Sequence, residues 1–336
     1  MTTTLAPDRD ASRQGADIQG FRSIQRRLAA LVPGEAWIES PPPLELTALG
    51  GDDAPRLIAA SVLEGSTVRA HAVAGELSPR FAAFLDGTQR SRVIAHADEV
   101  PIVHGLVAAV VRERSDRRMR TWGAPTVRDA LYAPIPLLGS RWRDVLLQAG
   151  IPVIDTLSRG DPASTHPFAL QDSAIHAVQS AREAAERALA ERWCATQARE
   201  LVVDGAITGS ETVATSARVV GVIKSHRTLY VEGDALRTVL RLRRGERSSV
   251  LRVTSPKRTP VASWYLRLRD PRGHDPLWGL VRVEMAEAGA DRLTERADAV
   301  SRWVLAESLP LAVPDGRWDK MMYGIRDCEE FLRAIQ

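Results

Sequence analysis

The sequence predicts a mixed α/β domain built around one central sheet and flanked by helices. Three observations carry that prediction. Short apolar runs, several rich in Val, recur from about residue 67 onward between Gly, Pro and Asp. One long stretch, Phe168 to Trp193, has helical spacing, with Ala174, Val178, Ala181, Ala185 and Leu189 on one face. Two further helical patterns follow near 291–307 and 317–335. A strand meander, a long helix, more strands and then helices is the order expected of one sheet covered by helices.

The elements read as follows. Residues 1–16, rich in Thr, Asp, Arg and Ser, read as disordered. Asp17 to Val32 reads as an amphipathic helix, with Ile18, Phe21, Ile24, Leu28 and Leu31 at helical spacing and Pro33-Gly34 ending it. Pro41-Pro42-Pro43 and the Gly-Gly-Asp-Asp stretch near 50 mark loops. Residues 1–66 thus form an N-terminal helical and loop extension on a main domain, 67–336. In that domain Val68–Val73, Arg80–Asp86, Arg92–His96 and Pro101–Arg112 read as strands. Thr126–Leu131 and Trp142–Gln148 read as short helices around the Pro-rich 133–139. After the long helix come strands at Arg199–Asp204 and Ala217–Lys224, a helix at Asp234–Leu242, and strands at Ser249–Thr254, Ala262–Arg269 and Gly279–Met285. No internal repeat is visible.

Composition narrows the class. The 336 residues are 44% hydrophobic and 26% charged, a globular balance that argues against disorder throughout and against a coiled-coil rod. No apolar run approaches the ~18–20 residues that span a bilayer, and Met1–Gly20 lacks a signal-peptide core, so a cytoplasmic protein with no membrane association is expected. Cys194 and Cys328 cannot build a disulfide framework or a multi-cysteine zinc site. A net charge of +3 does not demand a nucleic-acid partner, although nearly all cations are Arg and the lysines are only Lys224, Lys257 and Lys320.

Two strand–Asp-Gly motifs carry the chemistry. Phe84-Leu85-Asp86-Gly87 and Val202-Val203-Asp204-Gly205 each place an Asp where an apolar strand is expected to end, with Gly available for a sharp turn. Asp-Gly at a strand end is also an ordinary turn. If the strands are neighbours, however, the carboxylates converge and raise one another's pKa unless a cation lies between them. Mg²⁺ or Mn²⁺ suits such all-oxygen ligands, and two ions held ~4 Å apart assist phosphodiester hydrolysis. Glu183 and Glu186, three residues apart on the long helix, offer a third carboxylate. Lys224 ends the Val219–Ile223 strand, where it could hold a phosphate, and Ser225, His226 and Arg227 follow it.

At these residues the chain resembles the NurA nuclease family. The matching stretches are Phe84 to Thr88, Leu201 to Gly205 and Val220 to His226. Weaker matches lie at Gly245–Ser248, Trp264–Leu268 and Gly279–Glu284. In order they span about residues 78–335. The resemblance implies an RNase H-like core and Mn²⁺- or Mg²⁺-dependent DNA hydrolysis, as a 5′ to 3′ exonuclease with single-strand endonuclease activity. It also implies a homodimer working with a HerA-type hexameric ATPase in DNA end processing or anti-phage defence. Carried over, Asp86, Glu186 and Asp204 are the expected metal ligands, with Glu183 as rival to Glu186, and Lys224 falls at a family lysine. The family's C-terminal His or Asp has no His counterpart here. Asp319 is the nearest substitute ligand, ahead of Asp315, and Tyr323 stands near a family tyrosine.

Overall fold

A computed structural model describes residues 20–31, 55–148, 150–157, 165–254, 258–287, 289–308 and 319–335. Residues 1–16, Lys257 and Asp315 lie outside them. The strands are β1 (Arg56–Leu57), β2 (Ser61–Val62), β3 (Ala70–Ala72), β4 (Ala83–Ala97), β5 (Val100–Ser115), β6 (Arg118–Thr121), β7 (Thr126–Ala133), β8 (Val153–Asp155), β9 (Leu201–Asp204), β10 (Val219–Ile223), β11 (Thr228–Leu229), β12 (Glu246–Ser248), β13 (Leu251–Val253), β14 (Val261–Arg267) and β15 (Leu280–Met285). The helices are α1 (Gly20–Leu31), α2 (Ser140–Leu147), α3 (Pro167–Thr196), α4 (Glu211–Ala214), α5 (Gly233–Leu240), α6 (Ala290–Glu307) and α7 (Tyr323–Ile335).

The large sheet runs β2-β13-β14-β15-β10-β9-β4-β5-β7-β8. At its centre β4, β9 and β10 are parallel neighbours, whereas β5 runs antiparallel to both β4 and β7. This is a mixed sheet with helices on both faces, which explains why its central strands read as nearly continuous apolar runs. Side chains alternate across a strand, so Phe84 and Leu85 enter different cores. Phe84, Val202 and Val220 pack with Ala297, Val300 and Val304 of α6 and with Ile325, Cys328 and Leu332 of α7. Leu85, Val107 and Val203 pack with Val178, Ala185, Leu189 and Trp193 of α3. A smaller core joins Ile24 and Leu28 of α1 to Trp142 and Val145 of α2.

Two expectations need correction. Asp86-Gly87 is not a turn. β4 runs unbroken from Ala83 to Ala97, and Gly87 pairs with Ala109 inside the ladder. Thr126–Leu131 is strand, not helix, because β5 supplies a complete set of ladder partners from Val103 to Ala109 and overrides a weak local preference. Before residue 67, β2 joins the large sheet by pairing with β13, while β1 pairs with β11 in a separate two-stranded sheet. Elsewhere the basic run Arg112–Arg120 forms the β5–β6 hairpin. Arg112 bonds Asp327 at 2.6 Å and Arg114 bonds Glu307 at 2.8 Å, tying that hairpin to α7 and α6. Among the described residues no helix is long and apolar enough to cross a membrane.

Candidate metal centre

The parallel register sets Leu85 of β4 beside Val203 of β9. The next residue on each strand is therefore an aspartate, and Asp86 and Asp204 lie side by side at the centre of the sheet. Asp86 shares its face with Phe84, the face covered by α7. Gly205 follows Asp204 with φ of 138°, a conformation open to glycine, and lets β9 end there. The helix α7 is seated against β4 by Cys328, whose thiol lies 3.3 Å from the Phe84 carbonyl oxygen. The next residue, Glu329, points its carboxylate at the two aspartates. One oxygen each from Asp86, Asp204 and Glu329 fall within 4.8 Å of one another.

Glu186 approaches from the opposite face. It projects from α3 onto Gly87, and a Cβ on residue 87 would overlap the Glu186 carboxylate. A glycine inside a strand here marks a close approach, not a bend. Arg182, one helical turn earlier, donates to Glu186 Oε1 at 2.5 Å. Lys224, immediately after β10, donates from Nζ to Asp204 Oδ2 at 2.7 Å. Arg326 lies 3.1 Å from the Glu329 carboxylate.

Burial and crowding govern protonation. Burial pushes the Asp86 carboxyl well above the ordinary carboxylate range, and the charges of Asp204 and Glu186 push it further; Lys224 and the Gly87 N–H offset this in part. Burial likewise raises Glu186 to about 7, against the pull of Arg182. For Lys224 burial disfavours the charge, but Asp204, Asp86 and Glu329 outweigh it and hold the ammonium above its ordinary value.

The donor set fits a divalent cation. Oxygens sharing one ion at about 2.1–2.4 Å lie no more than about 4.2–4.8 Å apart, which is the spread seen here. All donors are carboxylate oxygens, which suit hard divalent cations such as Mg²⁺, Ca²⁺ and Mn²⁺. The site opens into a cavity of about 580 Å³ lined also by Thr88, Ser225, Arg326 and Arg333.

No protein-family model matches this chain, and no curated protein does.

The structure brings Asp86, Asp204, Glu186 and Lys224 together. It places the other sequence candidates elsewhere. Glu183 is exposed and accepts from Gln179 at 3.0 Å. Asp319 is buried, but its Oδ2 accepts from the Gly279 N–H at 2.7 Å and anchors the start of β15. Tyr323 is exposed at the head of α7, not in the core. His226 accepts no role at the cluster. Its Nε2 donates to the Leu280 carbonyl at 2.7 Å, and burial depresses its pKa to about 4.

Sequence reasoning missed Glu329. A signal was available in the helical spacing of residues 323–335. Arg326, Glu329 and Arg333 lie along the flank of the buried stripe Ile325, Cys328 and Leu332. A carboxylate beside a buried stripe emerges at the rim of whatever that stripe packs on.

Proposed function

We propose that this protein is a Mn²⁺- or Mg²⁺-dependent DNA nuclease with an RNase H-like core. The observation that carries the reading is the convergence of Asp86, Asp204 and Glu329 within 4.8 Å, with Glu186 reaching the same strand across Gly87. The strand order β7-β5-β4-β9-β10, with β5 alone reversed, supports the RNase H-like assignment. So does the placement of the aspartates on its two central parallel strands.

Asp86, Asp204 and Glu329 would hold the cation, with Glu186 beside them. A divalent ion there would supply Lewis-acid stabilisation of a phosphodiester under attack and lower the pKa of water. The chain's own residues do the rest. Lys224, charged and held by Asp204, is placed to move onto a phosphate oxygen once a cation takes over that carboxylate. Arg182, Arg326 and Arg333 line the approach and orient a phosphate backbone. The near-neutral Glu186 is suited to exchange a proton near pH 7.

The resemblance adds a homodimer, a HerA-type hexameric ATPase as partner and a cytoplasmic role in DNA end processing or anti-phage defence.

A second reading has its own observation. Lys224 on Asp204 and Arg182 on Glu186 fill the site with internal ion pairs, as in a catalytically weak adaptor that guides DNA to a translocase. One assay separates the two. End-labelled single- and double-stranded DNA is incubated with Mn²⁺, Mg²⁺ or chelator, with wild type beside Asp86→Ala and Asp204→Ala. Metal-dependent shortening by wild type, reduced by about 10²-fold or more in each variant, is expected. Cleavage that survives both substitutions sinks the assignment. Silence of the wild type, alone and with the ATPase present, favours the adaptor.

A further inference from the structure

A second, smaller cavity of about 250 Å³ lies on the α3 side of Asp204. It meets the larger cavity at Arg182, Asp204 and Gly205, which line both. It then follows α3 from Arg182 to Ala190, a path of about 12 Å at 1.5 Å per residue. Two further arginines line it from separate parts of the chain. Arg187 comes from α3, and Arg258 lies just before β14, within 3.3 Å of the Thr208 hydroxyl. Ser210 joins them, with its hydroxyl donating to Glu191 at 2.6 Å.

The remaining charges are carboxylates. Asp204 and Glu186 belong to the metal end, where a cation would neutralise them. Glu183 also lines the cavity, where it accepts from Gln179 at 3.0 Å and lies 3.8 Å from Arg182. The cavity therefore has an acidic, metal-binding mouth and an arginine-bearing body. Guanidinium groups match phosphate in shape and charge. The volume is small for a ligand pocket and excludes a duplex.

We propose that this cavity receives the terminal nucleotide of a DNA strand, with its phosphate against Arg187 and Arg258, while the larger cavity holds the body of the strand. The scissile phosphodiester then lies across Asp204, where the two cavities meet, and one mononucleotide leaves per cleavage. This assignment deepens the nuclease reading and rests on it for the cleavage step, but the binding of a mononucleotide is measurable by itself.

The test has two arms. In chelator, calorimetry measures binding of thymidine 5′-monophosphate, thymidine 3′-monophosphate and thymidine to the full chain. One monophosphate is expected to bind about tenfold or more tightly than thymidine, and Arg187→Ala and Arg258→Ala each to weaken it about tenfold. Whichever isomer binds identifies the strand end received. Both residues are exposed, so neither variant endangers folding. In Mn²⁺, uniformly labelled single-stranded DNA is expected to yield mononucleotides with wild type and longer products with Arg258→Ala. Cleavage by a protein that binds no monophosphate, or binds thymidine equally well, overturns the inference and leaves the nuclease reading standing. Arginine-dependent monophosphate binding without any cleavage, alone and with the ATPase present, supports the cavity assignment and overturns the nuclease reading.

Discussion

Glu186 touches β4 because residue 87 has no side chain. Its carboxylate occupies the space that a Cβ at Gly87 would fill, so a helix on one face of the sheet delivers charge beside Asp86, whose side chain belongs to the other face. Gly87→Ala is therefore expected to displace Glu186 and destabilise the fold by about 1–3 kcal/mol, read from the denaturant midpoint. The same change in a Glu186→Ala background should cost clearly less, since the clash is then absent. Equal costs in the two backgrounds would show that the two residues do not meet.

The protonation of Glu186 makes a signed prediction. A carboxyl raised from 4.5 to about 7 on folding binds its proton more readily in the folded chain than in the unfolded one. Metal-free stability attributable to this group is thus full below about pH 4.5 and declines as pH rises through about 7. The total loss is on the order of 3 kcal/mol. Glu186→Gln removes the titration. The difference in thermal stability between variant and wild type should grow in the variant's favour from pH 5 to pH 8. A difference that stays flat across this range refutes the buried, near-neutral carboxyl.

Lys224 acts as an internal counter-ion to Asp204. Lys224→Met should destabilise the metal-free protein by about 1–3 kcal/mol at pH 8, because a partly buried carboxylate loses its partner. Mn²⁺ should then raise the melting temperature of the variant more than that of wild type, since the ion no longer competes with the ammonium. Equal metal-induced shifts would place the ion away from Asp204.

Gly324 sets the distance between α7 and β4. A Cβ there would overlap the Phe84 ring. Alanine is the better helix former by about 1 kcal/mol, yet Gly324→Ala is expected to lower stability by about 1–3 kcal/mol. Lifting α7 also withdraws Glu329, so Mn²⁺-induced stabilisation should shrink as well. A variant as stable as wild type and equally responsive to Mn²⁺ would separate helix seating from the site.

Parts of this architecture were legible residue by residue. The Val-rich runs that became β5, β9, β10 and β15 are apolar because both faces of the sheet are covered. The 3.6-residue spacing of Ala174, Val178, Ala185 and Leu189 marked α3 because that stripe had to bury itself. Asp86 and Asp204 stood out as aspartates closing apolar runs ahead of a Gly, where neighbouring strands bring two carboxylates together. Thr126–Leu131 was misread because six residues are too few to separate a helical from a strand pattern.

The sequence by itself determined which segments bury apolar surface, and it singled out Asp86, Asp204 and Lys224 at strand ends and the pair Glu183 and Glu186 on the long helix, because periodicity and motif spacing are local properties. Only the tertiary structure decided that Asp86-Gly87 continues a strand, that Glu329 and not Asp319 completes the carboxylate trio, and that Glu186 fills the space beside Gly87. Those outcomes depend on sheet register and on how closely α3 and α7 approach β4. Both are fixed by contacts between residues about 100 to 240 positions apart, beyond the reach of any local pattern.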